Sequence, residues 1–304
     1  MRRWHYTHFG LRIASELELP EWSESEHLSG WGSPDVVIRV KPFAQTESGD
    51  LTQQPSLMTP DEYKFHIPDL GHFHVHDGRE IDVKPLPGTP PERLRPWLVG
   101  SVWGALCYQR EMFIVHASAV RIGDEAVIFC GRAGQGKSTL AAQLCARGYA
   151  LVGDDLCRLE LPPQGSPVVH PSAPRMKLWS DALGELGWSS RDLAPDHLRQ
   201  GKFHLSLPAS GLTHPLPVRA AYLLSWGVFG ARELHGRAAL HGFLSGATWR
   251  MKLLESMGQL GPQTRRYTEF LRRVPLVALT RPRDLMSSSE TLDFLAGQWS
   301  RAAV

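Results

Sequence analysis

Residues 131 to 138 read GRAGQGKS and match GxxxxGK[ST] at every fixed position: Gly131, Gly136, Lys137 and Ser138. The octet follows the apolar run AVIFC and opens KSTLAAQLCARG, so a strand is expected before it and a helix from Lys137 onward. Strand, glycine-rich turn and helix leave few folds open; they belong to the α/β arrangement, in which ligands sit at the carboxyl ends of strands. The glycines allow consecutive N–H groups to turn inward on phosphate oxygens, and the helix N-terminus adds its partial positive charge. Lys137 has the reach for terminal phosphates, while Ser138 offers a hydroxyl to Mg²⁺. A nucleotide cradle of Gly131, Ala133, Gly134, Gln135, Gly136, Lys137, Ser138 and Thr139 is therefore expected, with ATP and Mg²⁺ as its ligands.

Before that turn, residues 1–90 show short strand signals separated by Pro and Gly: HYTHFGLRIASELELP, DVVIRVKPF (35–43) and EYKFHIPDLGHFHVHDGREIDVKPL (62–86). They read as an antiparallel β layer. From Pro90 the period changes, with Leu94, Trp97, Leu98, Val102 and Leu106 at helical spacing and a proline pair where a helix can start. FIVHASAV (113–120) and EAVIFCG (125–131) read as strands, KSTLAAQLCARG as a helix closed at Gly148, and YALVGDD as a short strand neighbouring the loop's own. VRAAYLLSW (218–226) and VPLVALTRP (274–282) read as buried strands. ALHGFLSGATWRMKLLESMG and PQTRRYTEFLRRV between them read as helices, and SSSETLDFLAGQWSRAAV as a last helix with a Ser N-cap.

A net charge of +2 and a pI near 8.4 provide no basic tail, so a small anionic ligand is favoured over nucleic acid. Cys107, Cys130, Cys145 and Cys157 form no CxxC pair and read as reduced core thiols. No signal-like apolar segment follows the opening arginines, and no run reaches the roughly 18–20 apolar residues that span a bilayer. A cytoplasmic enzyme without a membrane partner is expected.

A bound nucleotide leaves hydrolysis, motor work and phosphoryl transfer open. Asp154 and Asp155 lie sixteen residues past Ser138, at the tip of a short strand. Two adjacent carboxylates there can divide labour, one accepting a proton from an attacking hydroxyl and the other holding the metal. The plainer alternative is an Asp pair capping a turn.

VHASAV, followed by GRAGQGKSTLAAQLCARGYALVGDD, resembles the catalytic core of the bacterial HPr kinase/phosphorylase family, which shares its nucleotide core with phosphoenolpyruvate carboxykinase. The match covers about forty residues and places His116, Lys137, Ser138, Asp154 and Asp155 on the family's motif. Looser likenesses in the opening YTHFGLRIASELELPE, in APRMKLW (Pro174 to Trp179), in KFHLSLP (Lys202 to Pro208) and in VPLVALTRPRDL (Val274 to Leu285) resemble a divergent subgroup. That subgroup accompanies lasso-peptide and other ribosomal-peptide biosynthesis genes.

The resemblance implies an α/β fold with an HPr-kinase-like P-loop core and mixed sheet over 91–304, behind the β-rich region over 1–90, whose strand-rich pattern suits substrate recognition. It implies an ATP-dependent kinase acting on a serine or similar hydroxyl of a precursor peptide, with assembly into a homo-oligomer. A small-molecule kinase and a non-catalytic ATP-binding scaffold are the alternatives. Asp154 is then the expected general base and Asp155 the Mg²⁺ ligand beside Ser138, although the two can exchange roles. His116 is expected either to position substrate or phosphate or to be a core histidine at a strand end, and Lys202 either to neutralise charge on the transferring group or to be a solvated surface lysine. The chain has no recognisable counterpart of the family's second signature, around a Mg-binding glutamate, or of its HPr-contacting C-terminal helix. Phosphorylase activity and HPr as substrate are therefore not expected.

Other features read more plainly. His72, His74 and His76 share one face of a strand and suit either a metal or a polar sheet face. An exposed edge of the N-terminal β layer would suit capture of an extended peptide. Arg175 and Lys177 either meet phosphate or flank a buried Leu178 and Trp179. The arginines of RYTEFLRRV and TRPRD read as a solvated face, and Trp97 and Trp103 as core.

Overall fold

The computed structural model describes residues 3–24, 32–42, 55–191, 193–196, 199–207, 211–283 and 288–300. Phe43, Pro208, Asp284, Leu285, Ser287 and residues 301–304, which belong to segments read above, lie outside them. The chain forms two compact units, one of residues 1–114 with 250–263 and one of 115–249 with 264–304.

The first unit holds β1 (Trp4–His8), β2 (Leu11–Ser15), β3 (Ser23–Glu24), β4 (Val36–Val40), β5 (Pro55–Met58), β6 (Glu62–Ile67), β7 (Gly71–His76) and β8 (Glu80–Pro85). They make one sheet in the order β3-β1-β2-β4-β8-β7-β6-β5. It is mixed, since β4 runs parallel to both β2 and β8. In β7 the alternation HFHVH does what a period of two requires: Phe73 and Val75 are buried, while His72, His74 and His76 are half-buried on the other face.

The helical stripe from Pro91 appears as α1 (Pro91–Trp97), a π-helical turn (Leu98–Val102) and α2 (Trp103–Gln109). Pro96 lies inside α1 and donates no backbone hydrogen bond, and the wider turn follows directly after it. Leu94, Leu98, Val102, Trp103 and Leu106 are all buried, as their spacing requires, and Trp103 packs edge-on to Trp22 with centroids 4.7 Å apart. Trp97 sits against Phe65 at 5.3 Å.

FIVHASAV is interrupted. It forms β9 (Phe113–Val115) and β10 (Ala117–Ile122), separated at His116, whose N–H leaves the ladder to donate to the Ala247 carbonyl at 2.8 Å. The second unit continues with β11 (Glu125–Cys130), α3 (Lys137–Ala146), β12 (Leu151–Gly153), β13 (Cys157–Glu160), β14 (Val168–Val169), β15 (Arg175–Trp179), α4 (Ser180–Glu185), β16 (Ala194–Pro195), β17 (Lys202–Ser206), β18 (Leu216–Trp226), β19 (Gly230–Leu234) and α5 (Gly236–Ala247). After α6 (Met251–Ser256), which belongs to the first unit, come α7 (Leu260–Arg273), β20 (Leu276–Arg281) and α8 (Ser288–Ser300).

The central path runs β12-β10-β11-β18-β14-β13, with β20 parallel to the last six residues of β18 and β19 antiparallel to β20. β11 and β18 are also parallel, so β11, β18 and β20 present their carboxyl ends together. β10 is antiparallel to both β11 and β12. The Asp-bearing strand therefore does not neighbour the loop's strand as expected, because β10 lies between them. β15, β17 and β16 form a separate antiparallel sheet.

α3 ends as Gly148 suggests. That residue takes φ 95°, its N–H bonds the Cys145 carbonyl at 3.0 Å and the Tyr149 N–H bonds that of Leu144 at 3.1 Å, the two bonds of a Schellman close. The long helix expected from ALHGFLSGATWRMKLLESMG is two helices instead. Thr248 is extended and Arg250 takes φ 46°, so the backbone leaves the α region between α5 and α6. None of the four cysteines forms a disulfide. Among the described residues no helix is long and apolar enough to cross a membrane.

Candidate active site

β11 is apolar and buried from Ala126 to Cys130, and the chain then turns at Gly131, which takes φ 148° and donates its N–H to the Gly246 carbonyl at 3.0 Å. A side chain at Gly131 would begin 3.0 Å from the Leu224 carbonyl oxygen, tighter than a fixed backbone accommodates. Ala133 and Gly134 stand exposed at the tip, and Gln135 and Thr139 are half-buried. Gly136 takes φ 72° at the N-cap of α3, where no side chain caps the first turn. A Cβ there would fall 2.3 Å from Arg281 Nη2.

Two residues hold the loop in this shape, and neither was expected to. Trp226 at the end of β18 donates its indole N–H to the Gly134 carbonyl at 2.9 Å. Arg281, paired with it in register at the end of β20, donates Nη2 to the carbonyls of Gly136 at 2.9 Å and Gln135 at 3.4 Å. The guanidinium lies 4.3 Å over the Trp226 ring. Arg281 is 2% exposed, with its pKa pulled down to about 10 by burial, so this member of the TRPRD cluster is no solvated charge.

Lys137 is buried and its Nζ donates to the carbonyl of Gly131 at 2.8 Å, with that of Arg132 at 3.5 Å. Burial lowers its pKa, opposed by Cys130 and by the Asp154 and Asp155 carboxylates. Ser138 Oγ donates to Asp154 Oδ1 at 2.9 Å, and Ser118 Oγ donates to the same oxygen at 2.5 Å. Ser118 is fully buried on β10 and was missed by the sequence reading; a lone hydroxyl within the buried run HASAV was the available signal.

The chain turns at the Asp pair. Asp155 takes φ 69°, a conformation that aspartate tolerates better than most residues, and the Leu156 N–H bonds the Asp154 carbonyl at 2.9 Å. The two carboxylates are thereby separated. Asp154 is half-buried on Ser138 and Ser118, while the Asp155 side chain is 61% exposed with Oδ1 3.5 Å from His116 Nε2. His116 has its pKa lowered to about 4, chiefly by burial and then by Lys137, against the pull of Asp155; it is neutral at pH 7.

Lys202, at the start of β17, is also in electrostatic range. Burial and Arg199 lower its pKa, while Asp155 and Asp154 raise it, and its Nζ stands 5.9 Å from the Trp179 ring centroid. Thus Lys137, Ser138, Asp154, Asp155, His116 and Lys202 are brought together, with Arg199 added. Lys177 is elsewhere engaged, 2.7 Å from Asp196 Oδ2. Leu178 is buried as read, but Trp179 is 46% exposed, at the outer end of β15.

The Asp154 environment carries a pH prediction. Burial raises its pKa, with Asp155 adding to the rise and the Ser118 and Ser138 hydroxyls opposing it. A carboxyl with a raised folded pKa contributes most stability below its unfolded pKa and loses it as pH rises through the folded value. Asp154→Asn keeps an acceptor for both serines and removes the charge. It should melt a few degrees higher than the wild type at pH 7, the gap closing as pH falls toward about 4, near the unfolded aspartate pKa. Scanning calorimetry across that range tests it; a variant less stable at pH 7 would overturn the assignment.

No protein-family model and no curated protein matches the sequence. Among solved structures, the Hpr(Ser) kinase/phosphatase from Coxiella burnetii is similar at 14% identity over 62% of this chain and 95% of that one, with a TM-score of 0.32. A likeness of that size carries no argument about activity.

Proposed function

We propose that this protein is an ATP-dependent phosphotransferase that uses Mg·ATP and transfers the γ-phosphoryl group to a serine or similar hydroxyl of a peptide. One observation carries the reading: Ser138 of the glycine loop shares a hydrogen bond of 2.9 Å with Asp154, and the next residue, Asp155, stands exposed 3.5 Å from His116. A pure nucleotide-binding scaffold has no use for that second carboxylate.

The residues fit the ligands. Ser138 and Asp154 supply adjacent hard oxygen donors of the kind Mg²⁺ takes, and Lys137 rests on loop carbonyls from which a phosphate oxygen would draw it. A metal held there would neutralise charge on the transferring phosphate. These contacts support roles opposite to those first assigned: Asp154 as the metal-side carboxylate and Asp155 as the proton acceptor. Asp155 takes the proton as the acceptor oxygen bonds to the γ-phosphorus and the bond to the β,γ-bridging oxygen breaks, releasing ADP. His116, neutral and beside Asp155, orients that carboxylate. Lys202 and Arg199 supply positive charge toward the transferring group.

The peptide acceptor, and a ribosomally made precursor peptide in particular, is supported by the resemblance in the opening segment and in APRMKLW and KFHLSLP. Incubation with γ-labelled ATP, Mg²⁺ and serine-containing precursor peptides should place label on a peptide serine. Label found only in free serine or another small hydroxyl compound would replace the peptide reading, and ATP binding without any transfer would end the kinase reading.

A further inference from the structure

The strand HFHVH has acidic partners that the sequence alone did not reveal. β8 lies beside β7 with His74 opposite Asp82 and His76 opposite Glu80, and β6 places Glu62 opposite His76 on the other side. On this face, one ring nitrogen each from His74 and His76 and a carboxylate oxygen of Asp82 lie within 4.8 Å of one another. His72 is not part of the group; its Nε2 lies 3.1 Å from His66 Nδ1.

We propose that His74, His76 and Asp82 bind a zinc ion, pinning β7 to β8 in the first unit. The chemistry of the donors narrows the ion: two imidazoles and one carboxylate are the mixed N/O set of first-row transition ions, zinc among them, whereas Mg²⁺ and Ca²⁺ favour oxygen alone. With metal–ligand bonds of about 2.1 Å, a tetrahedral site separates its donors by about 3.4 Å. His76 Nε2 already stands 3.5 Å from Asp82 Oδ2, and its other nitrogen is 2.8 Å from Asp77 Oδ2, a carboxylate that orients the ring from behind. The His74 and His76 rings lie 4.5 Å apart.

Asp82 supplies an independent sign. It is 4% exposed, yet its Oδ1 is a buried oxygen without a hydrogen-bond partner. A buried carboxylate oxygen left so costs free energy that a cation held by both oxygens of the group would return. Its other oxygen, Oδ2, is 2.5 Å from Lys41 Nζ, but the Lys41 side chain is 43% exposed and can move into water when the metal takes its place. Glu62, 3.1 Å from His74 Nε2, and Glu80, 3.7 Å from His76 Nε2, are the carboxylates at hand for the fourth position.

The site is independent of the phosphotransferase reading and is tested without it. Full-length protein is stripped with a chelator, equilibrated with zinc in excess Mg²⁺, and assayed for bound zinc by elemental analysis and by competition with a chromophoric chelator. One zinc per chain is expected. His74→Gln and Asp82→Asn, both close in size to the native residues, should each weaken binding by more than the roughly 10- to 100-fold that loss of an outer-shell partner costs. His72→Ala should leave binding intact, and Co²⁺ should give tetrahedral ligand-field bands in the wild type that vanish in His76→Ala. Circular dichroism of each variant separates lost ligands from lost fold. Absence of a bound zinc, zinc retained by the folded His74→Gln and Asp82→Asn variants, or equal loss in His72→Ala would each overturn the proposal.

Discussion

Replacing Asp155 by asparagine is expected to lower the rate of phosphoryl transfer by about 10²- to 10⁴-fold, the usual worth of a positioned general base, while ATP affinity and the Mg²⁺ requirement hold within a few fold. The split follows from where the two carboxylates stand. Asp154 accepts hydrogen bonds from Ser138 and Ser118, so in the proposed reaction its loss would be felt first by the loop serine and by a metal held there. Asp155 is turned away by its φ of 69° and is 61% exposed, free to meet an incoming hydroxyl. The Asn side chain preserves shape and a polar contact to His116 but cannot take a proton. In the matched variant, Asp154→Asn, the dominant change should be a higher Mg²⁺ concentration for half-maximal rate. Steady-state kinetics with ATP and Mg²⁺ titrations separates the two, and the reverse pattern would restore Asp154 as the base.

The difference between the roles assigned from sequence and those supported by the fold shows what kind of information each holds. The loop from Gly131 to Ser138 was legible because its shape is local: the glycines at φ 148°, 83° and 72° are where a nest of amides needs them. The adjacency of the Asp pair was legible, but where each carboxylate stands was not. That depends on β10 lying between β11 and β12 and on Ser118 reaching across from it, and strand order is set by long-range pairing. His116 falls between these cases. The strand break that frees it comes from an N–H bond to Ala247, more than a hundred residues away in the chain. The histidine face of β7 was legible by period two, yet Asp82 joined it only once β8 was in register.

Arg281 was the least legible residue of the site, because an arginine in TRPRD is a surface residue by every ordinary expectation. Its replacement by alanine should raise the Kd for ATP by about 100-fold, near the 3 kcal/mol that removing one member of a buried hydrogen-bonded charge costs, with the protein still folded. The Nη2 group holds two loop carbonyls, Gly136 and Gln135, and the guanidinium plane covers Trp226, whose indole in turn holds Gly134. Without it, the carbonyls that now face the clamp lose their donor, and the peptide planes that aim the loop amides can flip. Lysine should fail to rescue, since a point charge on a flexible stem has no planar group to stack on the indole. Trp226→Phe tests the second half of the clamp, keeping an aromatic ring at the position while removing the bond to Gly134, and should cost about tenfold. Calorimetric titration with a non-hydrolysable ATP analogue reads all three variants. If Arg281→Lys bound as tightly as the wild type, the guanidinium would be filling space and not shaping the loop.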